Sequence, residues 1–233
     1  MQAYWNLIGI PYSGCGHYQS ALTFNKKDTL SVLSKYDIPM AKSIYLKKGE
    51  SISVEEVIEK LKLPFIVKPN QSGSSLGVSK VNKAEDFEAA LAFAFKEDEQ
   101  ILMESFLKGT EVSVGVLNYK NEIRVLAITE IVSENDFFDF EAKYLGKSKE
   151  ITPARISKKA EESIHFLTKK VYKSLNMNGF SRVDFIIVDD LPHFIEINTN
   201  PGLSPASIFP QQVNFAQLDF SDLLESEIQR ILN

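Results

Sequence analysis

The sequence predicts an α+β (α/β) fold in two lobes. Two observations carry this. The first half alternates short apolar, strand-like runs with helix-period segments, and the second half holds longer alternating strands with fewer helices. A third, the absence of any repeat or low-complexity tract in 233 residues, makes the chain compact throughout. That length suits one large domain or two small ones, and the lobe boundary is placed near Met103.

Tyr4, Trp5, Leu7 and Ile8 read as the end of an amphipathic helix with no partner upstream, before a Gly/Ser turn from Ser13 to Gly16. Asn25, with Asp28 three residues on, predicts a reciprocally capped helix continued by Leu30, Leu33 and Tyr36. Strand Ser43 to Leu46, helix Val54 to Leu61 and the buried strand Phe65 to Lys68 follow. After the loop Asn70 to Gly77 comes a strand from Val78 to Val81. Asn82 then caps a helix whose apolar set is Phe87, Ala90, Leu91, Ala94 and Phe95. Strands are expected at Gln100 to Ser105, Glu111 to Leu117 and Ile123 to Ile131, then an aromatic and acidic loop from Asn135 to Gly146. Ser157 begins a long helix, Phe180 to Asn198 form a hairpin, and a last helix covers about Asp219 to Ile231.

A composition of 44% hydrophobic and 24% charged residues is that of an ordinary globular protein. The net charge of -5 argues against a nucleic-acid partner, which needs a basic stripe. No run approaches the roughly 18 apolar residues of a membrane span, and the first residues lack the basic start of a signal peptide. A single cysteine, Cys15, excludes an internal disulfide and points to a reducing, cytoplasmic setting.

The hairpin is the most informative piece. Arg182 and Asp184 share one face of its first strand, and Glu196 and Asn198 share one face of the second. A turn centred on Asp190 puts Ile195 and Ile197 on the apolar side, sets Asp184 opposite Glu196, and sets Arg182 opposite Asn198. Two carboxylates and an amide oxygen side by side are hard ligands suited to Mg²⁺ or Mn²⁺, whereas a merely solvated outer strand face would leave them without a task. The polar turn Asn198-Thr199-Asn200-Pro201-Gly202 beside them offers backbone N–H groups, and Gly202 allows close approach.

Lys68, at the end of a buried strand, needs an anionic partner. The Gly/Ser loop that follows it suits a triphosphate, although such a turn is equally often structural. It is neither a P-loop nor a dinucleotide fingerprint. Glu104 and Glu111 could hold an adenosine, but from the residues alone they read as two surface glutamates. Lys143 and Tyr144 sit in a stretch that could simply pack on the body. His17, His165, on the polar side of its helix, and His193 have no evident role. No nucleophile–base pair stands out.

Taken together, GIPYSGCGHYQSALTFNKK, LPFIVKPNQSGSSLGVSKV, ILMESFLKGTEVSVGVL, FDFEAKYL, GFSRVDFIIV and FIEINTNPGLSPASIFP, in that order, resemble D-alanine–D-alanine ligases of the ATP-grasp superfamily. The resemblance covers essentially the whole chain. It implies an ATP-grasp fold whose two lobes clamp the nucleotide between antiparallel sheets. Residues 1–20 would be the remnant of a preceding domain and linker, 21–103 the central lobe, and 104–233 the carboxy-terminal lobe with the metal and catalytic residues.

By the same resemblance, Lys26, Lys68 and Lys143 contact ATP phosphates and neighbouring groups, under the loop carrying Ser72, Gly73, Ser74 and Ser75. Glu104, Ser105 and Leu107 meet the adenine and Glu111 the ribose. Asp184, Glu196 and Asn198 match the ligands of two Mg²⁺ or Mn²⁺ ions, in agreement with the hairpin argument. Arg182 and the Gly202 backbone would stabilise an oxyanion, and Ser207 with Ile208 would bind the second D-alanine. Tyr144 and Ser74 match a hydrogen-bonded pair that closes over the site, and tyrosine there favours an amine acceptor. The implied activity is ATP-dependent formation of D-alanyl-D-alanine through an acyl phosphate, for peptidoglycan precursors. The family's amino-terminal domain, which supplies much of the first D-alanine site and carries the dimer contact, has no counterpart in this sequence. Two alternatives stay open: a ligase for another carboxylate and amine, and a nucleotide-binding fragment without catalysis.

Overall fold

The computed structural model describes residues 1–133 and 148–232. Two antiparallel sheets organise it. The smaller has strand order β1-β4-β2-β3, from β1 (Ser43–Lys47), β2 (Phe65–Pro69), β3 (Ser79–Val81) and β4 (Gln100–Ser105). The larger has order β7-β6-β5-β8-β9, from β5 (Thr110–Tyr119), β6 (Glu122–Ser133), β7 (Ser148–Ile151), β8 (Ser181–Val188) and β9 (Leu191–Asn198).

Two helices cover the smaller sheet. In α4 (Val54–Leu61), Ser53 and Glu56 form a full capping box, and the buried Val57 and Leu61 meet the sheet. α5 (Phe87–Ala94) buries Phe87, Ala90, Leu91 and Ala94, as its spacing predicts. Its cap differs from expectation. A 3₁₀ turn at Ala84–Asp86 intervenes, preceded by Lys83, so Asp86 rather than Asn82 stands at the N-cap of α5. Phe65 and Phe87 meet edge-on at 5.9 Å in the core between them.

The larger sheet packs against α2 (His17–Phe24), α3 (Lys26–Leu33) and α6 (Lys158–Ser174). Leu30, Leu33 and Ile38 join Val112, Val114, Ile164, Val183 and Phe185 in one buried cluster, although they precede the smaller sheet in sequence. Asn25 accepts from the Asp28 N–H, the forward half of the expected cap. α3 ends at Leu33, however, and Tyr36 is left exposed in a short 3₁₀ turn. α7 (Ile208–Phe215) and α8 (Phe220–Leu232) close a third cluster around Phe209, Val213 and Leu223. α1 (Gln2–Leu7) buries none of its residues, and Trp5 touches Tyr12 at 5.4 Å. Among the described residues no helix is long and apolar enough to cross a membrane.

Residues 39–42 connect the two sheets. Pro39 O accepts from Phe194 N at the edge of β9, and Lys42 and Ser105 exchange hydrogen bonds beside β4. The sheets are thereby held face to face with a cleft between them.

Candidate active site

The cleft has a volume of about 640 Å³ and is walled by both sheets. On the smaller sheet Lys68, at the end of β2, pairs with Glu104 of β4, and both side chains are almost wholly buried. The anionic partner expected of Lys68 is therefore Glu104, and Glu104 is not the surface glutamate that its residues alone suggested. Lys26 is positioned by the buried Asn70. Its carbonyl accepts from Lys26 N, its Oδ1 accepts from Lys27 N at 2.8 Å, and its Nδ2 donates to Asn25 Oδ1 at 2.9 Å. The first turn of α3 is thus fixed to the loop base, and Lys26 Nζ reaches Ser72 O at 2.8 Å. Burial pushes the Lys26 ammonium below the usual lysine range, while Glu196 across the cleft favours its charge.

Ser72, Gly73, Ser74 and Ser75 line the same space. Ser74 and Ser75 both hold left-handed backbone, at φ 55° and 56°, a conformation that ordinary residues keep mainly where surroundings impose it. Gly77 is required where it stands. It has φ +72°, and a Cβ there would lie 2.7 Å from the Pro69 ring. Ser105, Leu107 and Glu111 line the connection to the larger sheet. Gly109 there runs so close to β8 that a Cβ would lie 2.0 Å from Ile187 O.

The larger sheet supplies the acids. Arg182 lies opposite Asn198 and Asp184 opposite Glu196, as the parity argument predicts. The rest of that register is different. Asp189 and Asp190 form a two-residue turn, both left-handed at φ 50° and 65°, which pairs Phe185 with Phe194. Ile195 becomes an extra residue, a bulge. Phe194 therefore joins Ile197 in the core, while Ile195 faces the cleft beside Glu196 rather than sharing the apolar side. Arg182 spans Asp184, with Nε 3.2 Å from Oδ1 and Nη2 3.2 Å from Oδ2. Asp184 and then Glu196 and Glu150 hold the guanidinium well above its ordinary pKa. Asn198 Oδ1 accepts from Asn200 N at 2.9 Å.

Two carboxylates and one amide oxygen on adjacent strands form a hard donor set that fits Mg²⁺ or Mn²⁺. Among the described residues no group of three His, Cys, Asp or Glu gathers for a metal. Gly202 and Ser207 meet at the cleft floor, where a Cβ on Gly202 would stand 2.6 Å from Ser207 Oγ. Ser207 caps α7, and Ile208 opens it. Lys143 and Tyr144 lie outside the described residues. The structure thus brings Lys26, Lys68, the Ser72–Ser75 loop, Glu104, Glu111, Arg182, Asp184, Glu196, Gly202 and Ser207 to one cleft, with Asn198 beside it.

Four of the cleft residues that sequence reasoning missed make contacts of note. Phe106 lies at the inter-sheet connection with Lys80 Nζ 4.2 Å from its ring centre. Ser113 donates to Asp184 Oδ1 at 2.6 Å; its parity with Glu111 on one strand was the available signal. Glu130 is held by both sides of the Arg155 guanidinium at 2.8 Å. Glu150, whose acid burial pushes up in pKa and Arg182 pulls down, stands on β7, a strand the pattern did not reveal. Of the histidines, His165 is half-buried, near Glu161 and Lys169 of its own helix, with its pKa lowered by burial.

Comparison with known proteins bears on this cleft. The family model for the D-ala D-ala ligase C-terminus matches residues 32–229. A D-alanine–D-alanine ligase of Flavobacterium psychrophilum is 66% identical over 233 residues, covering 100% of this chain and 71% of that protein. The corresponding ligase of Flavobacterium johnsoniae is 56% identical, covering 98% and 71%. Among solved structures, a Bacillus anthracis D-alanine–D-alanine ligase complexed with ATP superposes with a TM-score of 0.85 at 27% identity, over 99% of this chain and 73% of that one. The VanG D-Ala:D-Ser ligase of Enterococcus faecalis gives 0.87 at 33%, over 98% and 67%. With antiparallel sheets enclosing a cleft of this composition and relatives this similar, the chain belongs to the D-alanine–D-alanine ligase family and has the ATP-grasp fold.

Proposed function

We propose that the cleft between the sheets is where ATP-dependent joining of two D-alanines takes place, and that its residues divide the work as follows. The carrying observation is that a lysine-bearing wall faces an acid-bearing wall across one enclosed space. Lys26 and Lys68, with Lys143, hold the phosphates beneath Ser72, Gly73, Ser74 and Ser75. Glu104, Ser105 and Leu107 hold the adenine, and Glu111 the ribose hydroxyls. Asp184, Glu196 and Asn198 would hold two Mg²⁺ or Mn²⁺ ions, which neutralise phosphate charge when bound. We also place the lobe boundary near Met103, on β4, the last strand of the smaller sheet in chain order.

The chemistry needs two displacements. The carboxylate of the first D-alanine takes the γ-phosphoryl group of ATP, giving an acyl phosphate and releasing ADP. The amine of the second then attacks that carbonyl and phosphate leaves. Arg182, kept charged by the acids around it, and the Gly202 N–H stabilise the tetrahedral oxyanion. Ser207, with Ile208, takes the carboxylate of the second D-alanine. Ser74 with Tyr144 keeps water from the acyl phosphate.

The likeness to a D-Ala:D-Ser ligase makes D-serine the acceptor to set against D-alanine. The test is calorimetry of ATP–Mg²⁺ binding, with phosphate release on the same sample given D-alanine, D-serine, D-lactate or L-alanine. The expected result is saturable binding and release highest with D-alanine. Binding without release would reduce the reading to a nucleotide site, and release led by another acceptor would replace the substrate.

A further inference from the structure

Across the larger sheet runs a row of directly paired residues: Thr129 on β6, Ser113 on β5, Asp184 on β8 and Glu196 on β9. Side chains paired in this way stand side by side on one face. Asp184 in this row has its two oxygens unequally engaged. Oδ1 accepts from Ser113 Oγ at 2.6 Å and from Arg182 Nε at 3.2 Å, while Oδ2 accepts, among the described residues, from Arg182 Nη2 alone. The oxygen with lone-pair capacity left for a cation is Oδ2, and the hydroxyl of Ser113 is what makes the two differ.

Ser113 is itself held firmly. It is buried, and its carbonyl accepts from Gln212 Nε2 at 2.8 Å. The same Nε2 donates to Thr129 Oγ1 at 3.0 Å, and Thr129 Oγ1 lies 2.7 Å from Thr152 Oγ1. Gln212 Oε1 has no partner among the described residues. A fully buried amide with one end unsatisfied carries a cost, offset here by the two hydrogen bonds that its Nε2 donates. Gln212 lies on α7, the helix that Ser207 caps and Ile208 opens. One line of contacts therefore runs from the acceptor end of the cleft to the Asp184 carboxylate.

We infer that Ser113 is a positioning residue for the metal-binding carboxylate, turning Asp184 so that Oδ2 meets the cation, with Gln212 holding Ser113 in place from the acceptor helix. The inference rests on the reading of Asp184 as a metal ligand given above. Partners behind a metal ligand typically change metal affinity by about 10- to 100-fold when removed.

The test is Mn²⁺ titration followed by electron paramagnetic resonance, in the presence of saturating ADP, on the unaltered chain and on Ser113→Ala, Ser113→Thr and Thr129→Val. Ser113→Ala is expected to bind Mn²⁺ about tenfold more weakly, with metal-free ADP affinity unchanged. Ser113→Thr keeps the hydroxyl and is expected to restore Mn²⁺ affinity. Thr129→Val removes a hydroxyl from the same row without touching Asp184 and is expected to bind Mn²⁺ as the unaltered chain does. Equal affinity in Ser113→Ala, or equal weakening in Ser113→Ala and Thr129→Val, overturns the inference. If Ser113→Ala fails to fold, Ser113→Thr decides it, because weak Mn²⁺ binding despite the hydroxyl is incompatible with this role. Should the unaltered chain bind ADP but no Mn²⁺, the metal reading itself falls and takes this inference with it.

Discussion

The two walls of the cleft each bury an ion pair, but the surroundings of the pairs are opposite in sign. Lys68 and Glu104 are joined by a second ammonium, Lys26, whose pKa is lowered first by burial and then by the nearby Lys68. Arg182 and Asp184 are joined by two further acids, Glu196 and Glu150, which help to hold the guanidinium protonated. One wall is left with surplus positive charge and the other with surplus negative charge. A buried pair contributes little to stability beyond its own desolvation cost, so these surpluses are better understood as complements to ligands. A polyanion on the first wall and cations against the second would neutralise both. The comparison teaches that the cleft is electrostatically incomplete in two different ways, and the metal nucleotide proposed above would complete both.

Removing the cation from the acidic wall should have the largest effect. Arg182→Ala leaves Asp184, Glu196 and Glu150 facing one another and removes the donor proposed for the oxyanion. Turnover is expected to fall about 10²- to 10³-fold, while ATP affinity measured without metal changes little. If calorimetry shows ATP affinity falling in step with turnover, the two walls do not divide the work as proposed. Removing the cation from the basic wall should act on binding instead. Lys68→Met deletes the charged contact proposed for the phosphates and leaves Glu104 buried and unpaired, so ATP should bind about 10- to 100-fold more weakly. Adding Glu104→Gln to that variant should recover part of the loss. No recovery would mean that Glu104 is not the source of the repulsion.

These walls were unequally legible in the sequence. Local rules found the helix Val54 to Leu61, the burial spacing of α5 and the pairing of Asp184 with Glu196, because each depends on a period or an offset over a short stretch of chain. They missed the bulge at Ile195, where two local demands conflict. The left-handed Asp189-Asp190 turn fixes a two-residue loop, while Asp184 and Glu196 must still face each other across the cleft. One extra residue settles the conflict, and parity alone cannot say where it goes. The Asn70 clamp on α3 depends on contacts 43 to 45 residues apart, which no window on the sequence contains. The same holds for Ser113, whose partner lies 71 residues away, even though its face was readable from Glu111.

The smallest expected effect separates a structural acid from the ligand-facing ones. Glu130 lines the cleft, yet both of its oxygens are taken by Arg155, through Nε, Nη2 and the backbone N–H. Those hydrogen bonds hold its carboxyl below the ordinary glutamate range. Arg155 is largely exposed, so solvent screens the pair and its contribution is modest. Because the folded-state pKa is depressed, the stabilisation is present above the unfolded value of about 4.3. It is lost as pH falls through the lower folded value. Glu130→Gln should therefore lower Tm slightly at pH 7, with the gap from the unaltered chain closing below about pH 4. Its ATP and Mn²⁺ affinities should stay unchanged, in contrast to variants of Asp184 or Glu104. A Tm gap that persists undiminished in acid would mean that packing, and not the Arg155 charge, is what Glu130 contributes. A loss of Mn²⁺ affinity would move Glu130 from the frame of the cleft into its ligand set.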